Sequence, residues 1–182
     1  RSVAENFWIN GNSSVSCVNC IINDPEANTT SSLEFLNCIV ECNDLGPGYV
    51  GEPTFKNCIL VTTSQGENYL STSSVAYNCV GISNKSDNNI FKETPNTTNV
   101  MKKYSEVFKT FRGTYSDEET FELTETAKRR YKGIDGTQVG IYGGNMPFSM
   151  TPTNPQITKC NVAAKSTADG KLSVDIEVNG VE

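Results

Sequence analysis

The chain has 182 residues, 20% of them charged and 36% hydrophobic, with a net charge of −6 and no histidine. Acidity argues against a nucleic-acid backbone as partner, and the missing histidine removes His-based triads, His general bases and His metal ligands. No apolar run approaches the ~18 residues of a membrane helix, and the seven cysteines, an odd number, cannot all pair within the chain.

Residues 1–8 read as a strand, so the chain is expected to open inside a fold; it shows no signal-peptide pattern and is read as a mature form, a trimmed form or a fragment. A repeat follows. Val18-Asn19-Cys20-Ile21-Ile22 returns as Leu36-Asn37-Cys38-Ile39-Val40, Lys56-Asn57-Cys58-Ile59-Leu60 and Tyr77-Asn78-Cys79-Val80, with the asparagines 18, 20 and 21 residues apart. Apolar residues alternate before the first three: Val15 and Cys17, Leu33 and Phe35, then Phe55. Alternation, a tight polar corner and a second apolar run describe two strands meeting at a bend, repeated at a period typical of stacked folds. The spacing predicts a right-handed parallel β-helix of four or five coils over residues 1–100, stacked at about 4.8 Å. Asn19, Asn37, Asn57 and Asn78 are expected to form a ladder, each amide bonding to those above and below. Cys20, Cys38, Cys58 and Cys79 are expected to face the core as small apolar groups. Before Asn78 the apolar residues Val75 and Tyr77 fall one position out of step, which predicts a bulge or an altered corner.

The stretches between repeats, residues 23–28 and 43–48, carry turn chemistry and form loops on one side of the coil. Tyr49 and Tyr69 each lie twelve residues after a corner asparagine, so they are placed to stack on adjacent coils, with Asp44 and Glu67 nearby. Aromatic faces beside hydrogen-bonding groups on a solenoid flank suit a sugar chain. Their other reading is that both tyrosines cover their own loops. Cys17-x2-Cys20 with Cys38-x3-Cys42 imitates a zinc spacing. The shared register of Cys20, Cys38, Cys58 and Cys79 favours a core column, and no metal or cofactor is expected.

Apolar residues at 101, 104, 107, 108 and 111 predict a short amphipathic helix, packed along the coil or over its open end. Asp117, Glu118 and Glu119 could suggest a glycosidase or a Ca²⁺-assisted lyase, but adjacent acids in a turn are the mark of a solvated loop. Lys128-Arg129-Arg130 with Lys132 is a basic run, fitted to grip a uronate or to balance nearby acids.

The stretch Asn6-Phe7-Trp8-Ile9-Asn10-Gly11-Asn12 with the first repeat resembles a coil of bacterial secreted proteins with right-handed parallel β-helix repeats, of the pectin-lyase-like fold. Phe121-x-Leu123 and Gly133-Ile134-Asp135-Gly136-Thr137-Gln138-Val139-Gly140-Ile141-Tyr142-Gly143-Gly144 resemble the closing segment of such surface proteins, so residues 101–150 are expected to close the coil. Where such segments commonly carry Ser-Pro ahead of the alanine, this chain has Glu125-Thr126. The resemblance implies a secreted or cell-surface location and a glycan theme.

Residues 151–182 read as a linker, with Pro152 and Pro155, and a β-hairpin. A three-residue loop, Ala168-Asp169-Gly170, is expected to pair Ala164 with Val174 and Val162 with Ile176, with Gly170 at positive φ. The whole chain is therefore expected to be an all-β, monomeric, non-catalytic domain that contacts a polysaccharide or cell-surface glycan. The alternatives are a β-helix polysaccharide lyase or glycoside hydrolase, and the structural end of a longer β-helix.

Overall fold

The computed structural model describes residues 3–5, 7–9, 12–42, 50–94, 96–113, 116, 119–149 and 156–179. Two compact units divide the chain, Arg1–Phe148 and Ser149–Glu182.

In the first unit, β1 (Val3–Glu5) and β2 (Trp8–Ile9) precede four corners. β3 (Ser14–Val18) turns into β4 (Ile21–Asn23) across Asn19-Cys20, and β5 (Glu26–Leu36) into β6 (Ile39–Cys42) across Asn37-Cys38. β7 (Val50–Lys56) turns into β8 (Ile59–Thr62) across Asn57-Cys58, and β9 (Val75–Tyr77) into β10 (Val80–Ser83) across Asn78-Cys79. Each corner asparagine holds a left-handed backbone, with φ of 52° to 56°. That conformation costs most residues roughly 1–2 kcal/mol, and asparagine tolerates it. The corner thus selects its residue.

The strands after the corners, with β1 at one edge and β11 (Val100–Lys102) at the other, form a six-stranded parallel sheet ordered β1-β4-β6-β8-β10-β11. The strands before them form a second parallel sheet, β2-β5-β7-β9, with β3 also paired to β5. Equivalent residues stack in phase. Cys17, Phe35, Phe55 and Ala76 make one column, and Ile21, Ile39, Ile59, Val80 and Val100 another. The unit is a parallel β-solenoid of about four turns.

The interior is filled by Leu33, Phe35 and Phe55 from one sheet and by Ile22, Val40 and Leu60 from the other. The rings of Phe35 and Phe55 stack at 5.1 Å and 14°. Each such side chain contributes roughly 1.5–3 kcal/mol by leaving water. Below Leu60 the column continues as Gly81, where a Cβ would meet Met101 Sδ at 2.5 Å and Phe91 at 2.8 Å. Those side chains plug the interior at the last rung. Its backbone edge is met by side chains: the Cys79 N–H donates to Asn99 Oδ1 at 3.0 Å, and the Asn99 amide donates to the Ala76 carbonyl at 2.9 Å.

The fourth repeat contains no bulge. Thr54, Phe55 and Lys56 pair with Val75, Ala76 and Tyr77 without a shift. Ala76 is the residue that faces the core, beneath the bulky Phe55. Val75 and Tyr77 face outward, 37% and 46% exposed, so their apparent slip is a change of face.

A second apolar layer covers the outside of the six-stranded sheet. Ile21, Ile39, Ile59, Val61, Val80 and Ile82 meet Phe108, Phe111, Phe121, Leu123, Tyr131, Val139 and Ile141. Among the described residues only two short helices occur here, α1 (Tyr104–Val107) and α2 (Glu125–Arg130). The helix expected over 101–111 shrinks to α1 because Met101 and Lys102 pair with β10 instead. The segment therefore lies along the flank of the coil.

The second unit is an antiparallel hairpin of β12 (Gln156–Val162) and β13 (Val174–Asn179). Its turn follows the sequence: the Thr167 N–H donates to the Lys171 carbonyl at 2.7 Å across the three-residue loop, with Gly170 at φ 78°. The strand register differs from expectation, with Val162 opposite Val174 and Cys160 opposite Ile176. Two extra residues on the first arm, between Ala163 and Thr167, move the pairing by two and preserve which faces coincide. The linker expected around Pro152 and Pro155 lies outside the described residues.

Candidate functional site

The asparagine column does not bond as the expected amide ladder. Along the column the backbone does the stacking: the N–H groups of Asn19, Asn37 and Asn57 donate to the carbonyls of Leu36, Lys56 and Tyr77, each at 3.0 Å. The side chains of three of the four reach sideways to the closing segment. The Asn19 amide donates to the carbonyls of Ile141 and Gly143, both at 2.8 Å. Asn57 Oδ1 accepts the Ile134 N–H at 2.9 Å, and the Asn78 amide donates to the Lys132 carbonyl at 3.1 Å. Gly144, at φ 75°, lies so close to the Asn37 amide that any Cβ would collide with it. A corner residue forced into left-handed backbone is thus also a clasp for a segment up to 124 residues away.

The cysteine column is bound to backbone carbonyls and to its own sulfurs, and hydrogen bonds from Cys20 and then Cys58 pull the Cys38 thiol down to about 4. Cys20, Cys38, Cys58 and Cys79 each donate to the carbonyl two residues before, at 3.2–3.3 Å. Cys38 and Cys58 also donate to the preceding coil, to Cys17 O at 3.3 Å and Phe35 O at 3.2 Å. Burial pushes the Cys58 thiol well above its ordinary range, with the neighbouring thiols adding to the rise. Among the described residues no cluster of three or more Cys, Asp or Glu is placed to hold a metal.

Of the four residues proposed to hold sugar, Asp44 and Tyr49 lie outside the described residues, and with them the expected stack of the two tyrosines. Glu67 and Tyr69 sit on the third side of the coil, where residues 68–70 stack over 88–90. There the Asn68 N–H donates to Asn88 Oδ1 at 3.2 Å, the Asn88 amide returns a bond to the Asn68 carbonyl at 2.9 Å, and the Leu70 N–H donates to the Ile90 carbonyl at 2.9 Å. Asn88 imitates a strand neighbour, so this flank is rigidly held without a regular strand.

Glu67 and Tyr69 each touch a lysine. Glu67 pairs with Lys85 at 3.8 Å, and the Lys92 ammonium lies 5.0 Å from the centre of the Tyr69 ring. These two lysines line two clefts that meet at Asn89 and Met101. The first, of about 420 Å³, lies between Lys85, Asp87, Asn88, Lys102 and Glu106. The second, of about 390 Å³, lies between Phe91, Lys92, Asn96, Thr97 and Asn99. The Lys103 N–H, 2.9 Å from Glu106 Oε2, and then Lys102 hold the Glu106 carboxyl below its usual value. Amides, hydroxyls and ammonium groups around a small apolar floor give hydrogen bonds in several directions and one aromatic face.

Sequence reasoning missed Lys85, Lys92, Asn88 and Asn89. A signal was present: Asn88 follows Asn68, and Ile90 follows Leu70, by twenty residues, the period of the corners. Elsewhere, Glu119 is occupied within its own loop, accepting from Thr110 Oγ1 at 2.6 Å and from the Phe121 N–H at 3.0 Å, while Asp117 and Glu118 lie outside the described residues. Glu41, on the outer face of the six-stranded sheet, is pushed up to about 7 by burial and then by Asp24.

The fold and this flank define a parallel β-solenoid with a polar, cleft-bearing side. The chain matches no family model, no curated protein and no solved structure. No helix among the described residues is long and apolar enough to cross a membrane.

Proposed function

We propose that this protein is a non-catalytic, monomeric binding domain, secreted or displayed at a cell surface, that contacts glycans through the paired clefts of its last two coils. One observation carries the reading. Glu67 and Tyr69 are each coupled to a lysine that lines one of two adjoining clefts, on a flank fixed by the Asn68–Asn88 bonds. Both clefts fall within the size of small-ligand sites, roughly 300–1,000 Å³, and a solenoid flank extends such sites along a chain. The resemblance of the coils and closing run to bacterial secreted β-helix proteins of the pectin-lyase-like fold supports the location and the glycan theme.

A panel of polysaccharides, scored for retention and for turnover, tests it. Retention of at least one glycan is expected, weakened about tenfold by Tyr69→Ala with Lys92→Ala at unchanged melting temperature. Unchanged retention in that variant would remove the clefts as the binding surface. Release of unsaturated or reducing ends by the wild-type chain would replace the reading with a lyase or a hydrolase.

A further inference from the structure

The basic run of the closing segment divides in two once folded. Lys128 is paired with Glu125 at 2.9 Å. Arg130 and Lys132 form no ion pair among the described residues and instead flank a third, smaller cleft of about 100 Å³, where the closing segment meets the last corner. Asn78 and Thr98 complete its polar wall, and Cys79, Val80, Val100, Tyr131 and Val139 its apolar floor. None of these lining residues is acidic, in a chain with 21 acidic and 15 basic side chains.

The polar wall is fixed at Asn78 and at the backbone of Lys132. The Asn78 amide spends one N–H on the Lys132 carbonyl at 3.1 Å, which fixes the backbone that carries Lys132 and leaves its second N–H for a ligand. The Asn78 N–H donates to Thr98 Oγ1 at 2.9 Å, tying the opposite wall to the same corner. The cleft has about a quarter of the volume of either glycan cleft, a size that suits one charged group. A guanidinium fork and an ammonium beside a spare amide suit planar or tetrahedral oxygens, and an apolar floor strengthens the attraction.

We infer that this cleft is an anion site, taking one oxyanion group (carboxylate, sulfate or phosphate) between Arg130 and Lys132, with Asn78 as a third donor. It stands apart from the glycan clefts and holds whether or not they bind sugar. The group arrives either as a free ion or as a substituent on a larger chain, and the two sources are separable.

The test titrates the intact 182-residue chain with inorganic sulfate, inorganic phosphate, a sulfated oligosaccharide and its unsulfated counterpart. Binding is followed by the amide resonances of residues 78, 98 and 130–132. Wild type is compared with Arg130→Gln and Lys132→Gln, and with Arg129→Gln, an exposed cation that does not line the cleft. The expected result is saturable binding that weakens with added NaCl, and a Kd raised at least about tenfold in each cleft variant, the equivalent of one lost charge-assisted hydrogen bond. Arg129→Gln is expected to bind as wild type. Binding of the inorganic ions identifies a free oxyanion site; binding of the sulfated chain alone identifies a substituent site. Absence of binding by all four probes, or equal affinity in Arg130→Gln, Lys132→Gln and wild type, overturns the inference.

Discussion

Inside the solenoid, Phe35 and Phe55 lie between two sheets whose backbones bond rung to rung; outside it, Phe111 and Phe121 lie between one sheet and a segment that carries the short helices α1 and α2. Both layers are built on buried apolar side chains, so burial alone does not distinguish them. They differ in how the backbone beneath is satisfied. In the interior the rungs beside each corner repeat the same in-phase bonds, the ladder slipping only between Ala27 and Ser32 of β5, and each coil depends on its neighbours. In the outer layer, side-chain amides of the corner column grip individual backbone groups at Ile134, Ile141 and Gly143. One layer is a stack, and the other is a strap held at discrete points.

The largest break in that contrast is a pair of ring deletions. Phe55→Ala removes a fully buried ring from the stack and is expected to cost about 3–5 kcal/mol, seen as a lower denaturation midpoint for the whole unit. Phe111→Ala deletes an equally buried ring from the strap. Its expected signature is faster amide exchange across residues 104–141 while β6 and β8 stay protected. Exchange rising in step in β6, β8 and the strap would show a single cooperative unit and dissolve the distinction.

A smaller effect separates the two duties of a corner. Asn57→Gly keeps the left-handed backbone and loses the bond to the Ile134 N–H, roughly 1 kcal/mol. Asn57→Ala loses that bond and adds roughly 1–2 kcal/mol of backbone strain. Chemical denaturation should rank wild type above Asn57→Gly above Asn57→Ala. Equal losses in the two variants would assign the residue to the strap alone.

The last is a pH effect at the margin of the outer layer. With Glu41 pushed from its ordinary 4.5 up to about 7, the folded chain keeps a proton there that the unfolded chain has released. Its contribution therefore makes stability fall as pH rises through about 4.5 to 7, and the loss is complete above 7. Glu41→Gln should flatten this fall and raise the melting temperature at pH 8 more than at pH 5, by roughly 2–4 °C for each kcal/mol recovered. Parallel melting curves for the two proteins across that range would refute the buried-carboxyl account.

The stack was legible because its physics is periodic. In-phase rungs force Val15 and Leu33, or Cys17 with Phe35 and Phe55, into equivalent sequence positions, and the left-handed corner favours asparagine. The strap was not legible in the same way. Asn57 meets Ile134 across 77 residues, and nothing local to either announces the other. The slip read at Val75 and Tyr77 failed for a related reason, since hydrophobicity marks the core only when the outer face is polar, and here Ala76 fills the core beside exposed apolar neighbours. Of the flank, Glu67 and Tyr69 were reachable from their offset to the corner, whereas Lys85 and Lys92 required following the twenty-residue period past the last Asn-Cys step into coil without strand alternation.

The cysteine column also makes the molecule a chemical clock of its own unfolding. Cys160 is exposed, Cys17 and Cys20 are half-buried at the first corner, and Cys38, Cys58 and Cys79 are buried further along the axis. A thiol-directed reagent therefore labels Cys160 at once, the first corner as the leading rungs fray, and the buried three only when the stack parts. When reclosing outruns labelling, the slow rates report the free energy of opening, coil by coil, without any introduced probe.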